Sequence, residues 1–340
     1  MAKIFLGFAF SFVILFLVNI TFVVLSIYAL IVGELQTLLR GLEAFELVYF
    51  SSSLKWILLA DGCWILLALV FMIKRKRYKT DINLHYLRYE PINDPIIAVI
   101  IPTYNEELAV EKAVKDYIKQ KNVKHVLVID NHSTDRTVEI AKRCGATVIT
   151  KESNKGYSHS LAVGLNEALK TNANVIVTTD ADGTYDADDI AKMMQYLDNS
   201  DMVIGTRQIQ VLTEKGNQNS MFLVWGNFFL AKLIQIKYFS LVHMGVVQLT
   251  DVGCAYRCIR RSALEKIIDY INDPSIENII DSPYFLLNIF LIMLLIENNL
   301  KIVELPITFK KRIGISKSGV RSKTKAIKFG LHFMWLIISR

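Results

Sequence analysis

Cysteine is scarce in this chain of 340 residues, with only Cys63, Cys144, Cys254 and Cys258. Neither a disulfide scaffold nor a cysteine-built metal centre is indicated, and free thiols in a reducing compartment are the simplest account. No apolar run is followed by a Walker lysine motif or by GxGxxG, which removes the usual ATPase and dinucleotide-binding readings. Charge is missing altogether from residues 4–33, a stretch rich in Phe, Leu, Ile and Val. That run exceeds the ~20 residues that cross ~30 Å of hydrocarbon, and it exceeds the apolar core of a removable signal peptide.

With 52% hydrophobic residues the chain is too apolar for an ordinary soluble protein, but the excess is localised. Two transmembrane spans are expected, at about 4–32 and 54–73, the second carrying Trp56, Trp64 and a lone Asp61 near enough to its end to reach the interface. Directly after it come five cations in six residues, Lys74 to Lys79, whereas the connecting loop sets Glu34, Glu43 and Glu46 against Arg40. Positive flanks stay in the cytosol, so the expected product is a multi-pass membrane protein with a hairpin at residues 1–79 and everything after it facing the cytoplasm. The rest of the net charge of +7 gathers between Lys310 and Lys328, with eight cations and no acid. Beside a membrane hairpin, anionic lipid head groups fit such runs better than nucleic acid.

From Pro95 onward short apolar runs alternate with amphipathic stretches, the signature of βα units around a parallel sheet. Strands are predicted at 96–101, closed by Pro102, and at 126–129, 147–150, 174–179 and 301–307. Helices are predicted over 106–120, after Thr134, and over about 160–170. A doubly wound layer of this kind binds ligands at the carboxyl ends of its strands. There the loops are polar: Thr103-Tyr104-Asn105-Glu106 after the first strand, and Asp130 to Asp135 after the second. His132 in that loop reads as a solvated turn residue rather than a catalyst.

The fourth strand delivers Asp180-Ala181-Asp182, paired carboxylates suited to a hard divalent cation. Turn formation explains isolated aspartates equally well, and an EF-hand is excluded because Tyr185 and Ala191 stand where Gly and Glu are required. Two later apolar stretches are short. Tyr284 to Ile296 would make about 20 Å of helix, so a buried or partly membrane-facing helix is expected; Phe329 to Ile338 suits an interfacial helix, within a terminal segment at 321–340.

The ordered series VIIPTYNEE, VLVIDNHSTDRT, NKGYSHSLAVGLNEA, TTDADGTYD and DMVIGTR, between residues 99 and 207, resembles the family 2 glycosyltransferases of GT-A fold. TDVGCAYRCIRRSAL at 250–264 and IVELPITFKKRIGISKSG at 302–319 are similar to the dolichyl- and polyprenyl-phosphate sugar synthases of that family. The resemblance implies an α/β GT-A catalytic domain at about 80–320. It implies a nucleotide pocket of Pro102, Tyr104, Glu106, Asp130, Lys155 and Asp180, and Mg²⁺ or Mn²⁺ held by Asp180 and Asp182. It also implies phosphate contacts from Arg207, with Arg312 and Lys317 on a loop that closes over the phosphates, and acceptor-side roles for Asp251 and Arg257. Asp251 is open as a base or as the group that orients Arg257. Thr184 stands where mannose synthases of the group carry glutamine, which leaves the sugar open, along with the choice of GDP or UDP.

The implied reaction is displacement at the anomeric carbon of a nucleotide sugar by a polyprenyl phosphate, with inversion. A lipid phosphate has a second pKa near ~6 and is ionised at neutral pH, so no general base is required. A processive polysaccharide synthase would carry more spans and a QxxRW motif, neither of which is present; a noncatalytic nucleotide-sugar scaffold would have a degraded acidic pair, and this one is intact.

Overall fold

A computed structural model describes residues 86–340, apart from 218–219, 239–247 and 315–322, together with scattered positions between 17 and 66. The chain divides into two compact units, residues 77–337 and residues 1–76 with 338–340. The expected spans lie outside the described residues except at those scattered positions, which are helical and include exposed Leu17, Ile20, Val24, Leu25, Ile31, Leu58, Leu59, Ile65 and Leu66. The basic run at 74–79 also lies outside them. Among the described residues no helix is long and apolar enough to cross a membrane.

The βα alternation begins with β1 (Ile97–Thr103), whose seven residues are all buried. Its apolar run is continuous because helices cover both faces of a parallel sheet. There follow α1 (Val110–Ile118), β2 (Val123–Asp130), α2 (Thr137–Arg143), β3 (Thr147–Thr150), α3 (Tyr157–Leu169), β4 (Val175–Thr178), α4 (Asp189–Leu197) and β5 (Met202–Thr206). The second half holds α5 (Met221–Lys237), β6 (Arg257–Arg260), α6 (Arg261–Ile271), α7 (Glu277–Ile280), α8 (Leu286–Glu297), β7 (Ile302–Pro306) and α9 (Lys323–Ser339). The seven strands form one sheet in the order β3-β2-β1-β4-β6-β5-β7, parallel except for β6, which runs antiparallel to both β4 and β5.

Several details depart from the sequence reading. β1 does not stop at Pro102 but passes through it, with Pro102 opposite Ile129 of β2. Thr179 N donates to Ile100 O, and Asn131 N donates to Thr103 O, so even-numbered residues of β1 face β4 and odd-numbered ones face β2. Pairing with β4 ends at Ile100, so the N–H that proline lacks would have had no partner in the ladder. The first helix starts at Val110 rather than 106, because Glu106 turns the chain and accepts from both Ala109 N and Val110 N through its carbonyl. β6, reading RCIR, carried no strand pattern; its arginines are nonetheless buried.

α8 is buried at every position from Leu286 to Ile296, which resolves the reading of 284–296 in favour of a core helix. A helix apolar on all sides is stable only when enclosed. The last helix starts at 323, inside the basic segment, rather than at 329. Phe333, Met334, Leu336 and Ile337 are buried in it, and Lys237 Nζ donates to Ile337 O at 2.5 Å.

Candidate active site

β1 is paired with β2 on one side and β4 on the other, so chain direction around the sheet reverses there and a crevice opens at the carboxyl ends of these strands. The loops that line it are cross-braced. Asn105, at φ +53°, accepts from Thr134 N at 2.8 Å through its side chain, and its own N–H donates to Ser133 Oγ at 2.9 Å. Asp130 is fully buried at the end of β2 and accepts from Ser133 N at 3.2 Å. Pro102 is buried and Tyr104 half-buried beside it. Lys155 is exposed, its backbone N–H bonded to Asn131 Oδ1 at 3.1 Å, which ties its loop to the Asp130 loop. His132 is exposed in a left-handed turn, as expected of a solvated residue.

Asp180 and Asp182 lie just past β4. Asp182 is buried; its Oδ1 accepts from Thr184 N at 3.0 Å and Thr184 Oγ1 at 2.5 Å. Its Oδ2 receives Arg312 Nη1 at 2.6 Å, and Arg312 Nη2 also bonds Glu106. Asp180 makes no hydrogen bond or ion pair among the described residues. Burial, and then the charge of Asp182, push its carboxyl up to about 7. Thr184, which stands where mannose synthases of the group carry glutamine, braces Asp182.

The segment carrying Arg312 is laid over this turn: Lys310 N donates to Thr184 O at 2.7 Å and Ile313 N to Asp182 O at 2.9 Å. Gly183 permits the closure. Its φ is +74°, and a Cβ there would meet Ile313 Cδ1 at 2.9 Å. Lys317, which was expected on the same loop, lies outside the described residues.

Arg207 and Asp251 form a second, separate pairing. Nε and Nη2 of Arg207 donate to the two oxygens of Asp251, each at 2.7 Å, and Arg207 N adds a third bond at 3.1 Å. Asp251 is held in turn by its own N–H, which donates to Glu304 Oε1 at 2.8 Å, and Thr250 binds the same carboxylate. The hydrogen bonds of the Asp251 carboxylate thus run to Arg207. Arg257 is fully buried and uses only Nε, bonded to Cys254 O at 3.1 Å. Burial lowers its pKa below the ordinary arginine value. Glu304, Thr250 and Phe309, whose ring lies 5.5 Å from the Arg207 guanidinium carbon, are supporting residues that the sequence did not reveal.

The fold and crevice define an α/β protein whose switch point gathers buried carboxylates against guanidinium groups. Residues 98–268, just over half of the chain, match the family described as glycosyl transferase family 2, and the chain belongs to that family and is a glycosyltransferase. The polyprenol monophosphomannose synthase of Mycolicibacterium smegmatis is 29% identical over 227 residues, 64% of this chain and 79% of that protein. The UDP-N-acetylglucosamine–dolichyl-phosphate N-acetylglucosaminyltransferase of Methanococcus voltae is 32% identical over 133 residues, 34% of this chain and 53% of that protein. Among solved structures, glucosyl-3-phosphoglycerate synthase from Mycobacterium tuberculosis with Mn²⁺, UDP and phosphoglyceric acid aligns at 15% identity and TM-score 0.47, covering 69% of this chain and 75% of that one.

Proposed function

We propose that this chain is a membrane-bound, inverting, metal-dependent glycosyltransferase of GT-A fold that moves a sugar from a GDP- or UDP-linked donor to the phosphate of a polyprenyl phosphate. The observation that carries the reading is the Asp180–Asp182 pair at the switch point. Asp180 is an unpaired carboxyl raised to about 7 by burial beside a second carboxylate, an arrangement that a cation relieves. Two carboxylates are the donor set that Mg²⁺ usually takes, the remaining ligands coming from substrate phosphates and water. Among the described residues no group of three or more His, Cys, Asp or Glu is placed to hold a metal ion. When bound, Mg²⁺ or Mn²⁺ supplies positive charge to the donor diphosphate.

In this reading Asp130, Glu106, Tyr104 and Pro102 would receive the base and ribose, with Lys155 beside them. Arg207 and Arg312 would stabilise charge as it develops on the leaving diphosphate. A phosphate oxygen of the acceptor forms the new bond to the anomeric carbon, and the bond from that carbon to the diphosphate oxygen breaks. The nucleoside diphosphate departs with the electron pair, and direct displacement inverts the anomeric centre. Since the acceptor oxygen is already ionised, no proton need be removed. The relatives named for polyprenol- and dolichyl-phosphate products support the acceptor class. The apolar, exposed helical positions between 17 and 66 support membrane anchoring.

Membranes containing the protein, incubated with a polyprenyl phosphate and labelled GDP-mannose, UDP-glucose or UDP-N-acetylglucosamine, are expected to yield labelled lipid from one donor only in the presence of Mg²⁺ or Mn²⁺. No labelling from any donor overturns the proposal. Asp182→Asn should abolish transfer while the protein stays folded, and full retained activity removes the metal role from this pair.

A further inference from the structure

Asp180 has no side-chain partner among the described residues, so its position is set by the backbone that carries it. That backbone runs from Thr179, directly after β4, to Asp186, and the buried tyrosines Tyr117, Tyr185 and Tyr256 fasten it. The Tyr117 hydroxyl, on α1, lies 2.6 Å from Thr179 Oγ1. Tyr185 Oη accepts from Ala255 N at 3.2 Å, and Tyr256 Oη donates to Asp186 O at 2.9 Å. These last two bonds cross. Each ring starts from one segment and spends its hydroxyl on the backbone of the other.

The rings pack as a row. Tyr185 and Tyr256 have centroids 5.2 Å apart, and Tyr117 meets Tyr256 close to edge-on at 6.3 Å. Tyr185 also meets Phe309 at 5.8 Å, and the same two residues form an antiparallel bridge. Since the Phe309 ring lies 5.5 Å from the Arg207 guanidinium carbon, the row connects the acidic turn to the arginine of the second pairing. Buried tyrosine hydroxyls ordinarily find a partner, so satisfaction alone explains little. What calls for explanation is the crossing and its place. Phenylalanine at 185 and 256 would fill nearly the same volume, and only the hydroxyls pin residues 180–186 to the segment that leads into β6.

We propose that Tyr185 and Tyr256 are positioning residues for the acidic pair, a crossed hydroxyl brace that holds Asp180 and Asp182 at the separation a divalent cation requires. This rests on the metal-dependent transferase reading above. Mg²⁺ demands near-ideal octahedral geometry, and site groups work only when held within about 0.5 Å of the productive arrangement. Neither tyrosine touches the cation; each acts through the backbone of the turn. Loss of one such hydrogen bond is worth about threefold to tenfold in affinity.

The test uses the full chain in detergent with Mn²⁺ as the probe, titrated by its electron paramagnetic resonance signal with and without UDP. Tyr185→Phe and Tyr256→Phe keep the rings and remove the hydroxyls. Tyr238→Phe is the control, because its buried hydroxyl bonds Glu297 at 2.7 Å, away from the turn. Each brace variant is expected to weaken Mn²⁺ binding about threefold to tenfold, while Tyr238→Phe stays within about twofold of wild type. Saturating Mn²⁺ should then restore lipid labelling by both brace variants. Mn²⁺ affinity lowered in all three variants alike, or in none, overturns the brace alone, and so does labelling that stays low at saturating Mn²⁺. Wild-type protein that binds no Mn²⁺ under either condition overturns the metal reading, and the brace with it. Wild-type protein that binds Mn²⁺ but labels no lipid from any donor overturns the transferase reading, and the titration still decides the brace.

Discussion

At the scale of single residues, the site is a contest between like and unlike charges. Asp180 has a carboxyl raised from 3.8 to about 7, so folding favours its protonated form. The stability that this protonation contributes is complete below about pH 4 and is lost as pH rises through about 7. The metal-free protein should therefore become less stable to urea over that window, and Asp180→Asn should flatten the slope. Cation affinity should run the opposite way, rising with pH to about 7, because a ligand carboxylate must be ionised. A metal titration that gives the same affinity at about pH 5.5 and pH 8 would contradict the assignment.

Arg207 and Asp251 illustrate a different balance. Their side chains are 15% and 0% exposed and exchange two hydrogen bonds of 2.7 Å, so removing the carboxylate strands a nearly buried cation. Asp251→Ala should cost about 3 kcal/mol or more in chemical denaturation, and Asp251→Asn clearly less, since one acceptor survives. Equal losses in the two variants would show that the surviving acceptor contributes nothing and that charge compensation is all that Asp251 supplies. Glu304, itself bonded by Thr250, holds Asp251 from behind through the Asp251 N–H.

At the scale of elements, the close approach of α3 to the sheet brings the acidic loop and the helix starts together. Gly164 makes it possible: a Cβ there would lie 2.3 Å from Ile100 Cγ2 and 3.1 Å from Ile129 Cγ1, both in the fully buried core. Gly164→Ala forces α3 away from β1 and should destabilise the protein by about 1–3 kcal/mol despite alanine's better helix propensity. A neutral or raised unfolding midpoint would show that α3 tolerates the displacement. The same element argument explains the turn after β4. The Arg312 segment folds onto residues 182–184 through backbone bonds, so the cation at Asp182 is supplied by chain geometry rather than by a neighbouring strand.

At the scale of the whole molecule, the proposed reaction needs a soluble donor and a lipid acceptor at one surface. The topology proposed for the chain follows from the charge pattern of the sequence alone, a hairpin at residues 1–79 whose basic flank stays in the cytosol. Protease added to inside-out vesicles should digest the region after residue 80, while right-side-out vesicles should protect it. Digestion in right-side-out vesicles alone would reverse the orientation.

What the sequence determined by itself is whatever depends on local pattern. The order of βα units, the buried run of β1, the polar loops after β1 and β2, and Asp180 with Asp182 at the end of β4 are all set by residues close together in the chain. The family, too, was legible in motifs of a few residues each. The tertiary structure alone decided what depends on distant partners. The antiparallel insertion of β6, a four-residue strand rich in arginine, is invisible to periodicity because hydrogen bonding to β4 and β5 creates it. The pairing of Asp251 with Arg207 joins positions 44 residues apart, and that of Arg312 with Asp182 joins positions 130 apart. Local propensity contains no information about which guanidinium reaches which carboxylate. Nor could it show that Arg257 is buried with two guanidinium nitrogens unpartnered, because burial without a partner exists only once the chain has closed around it.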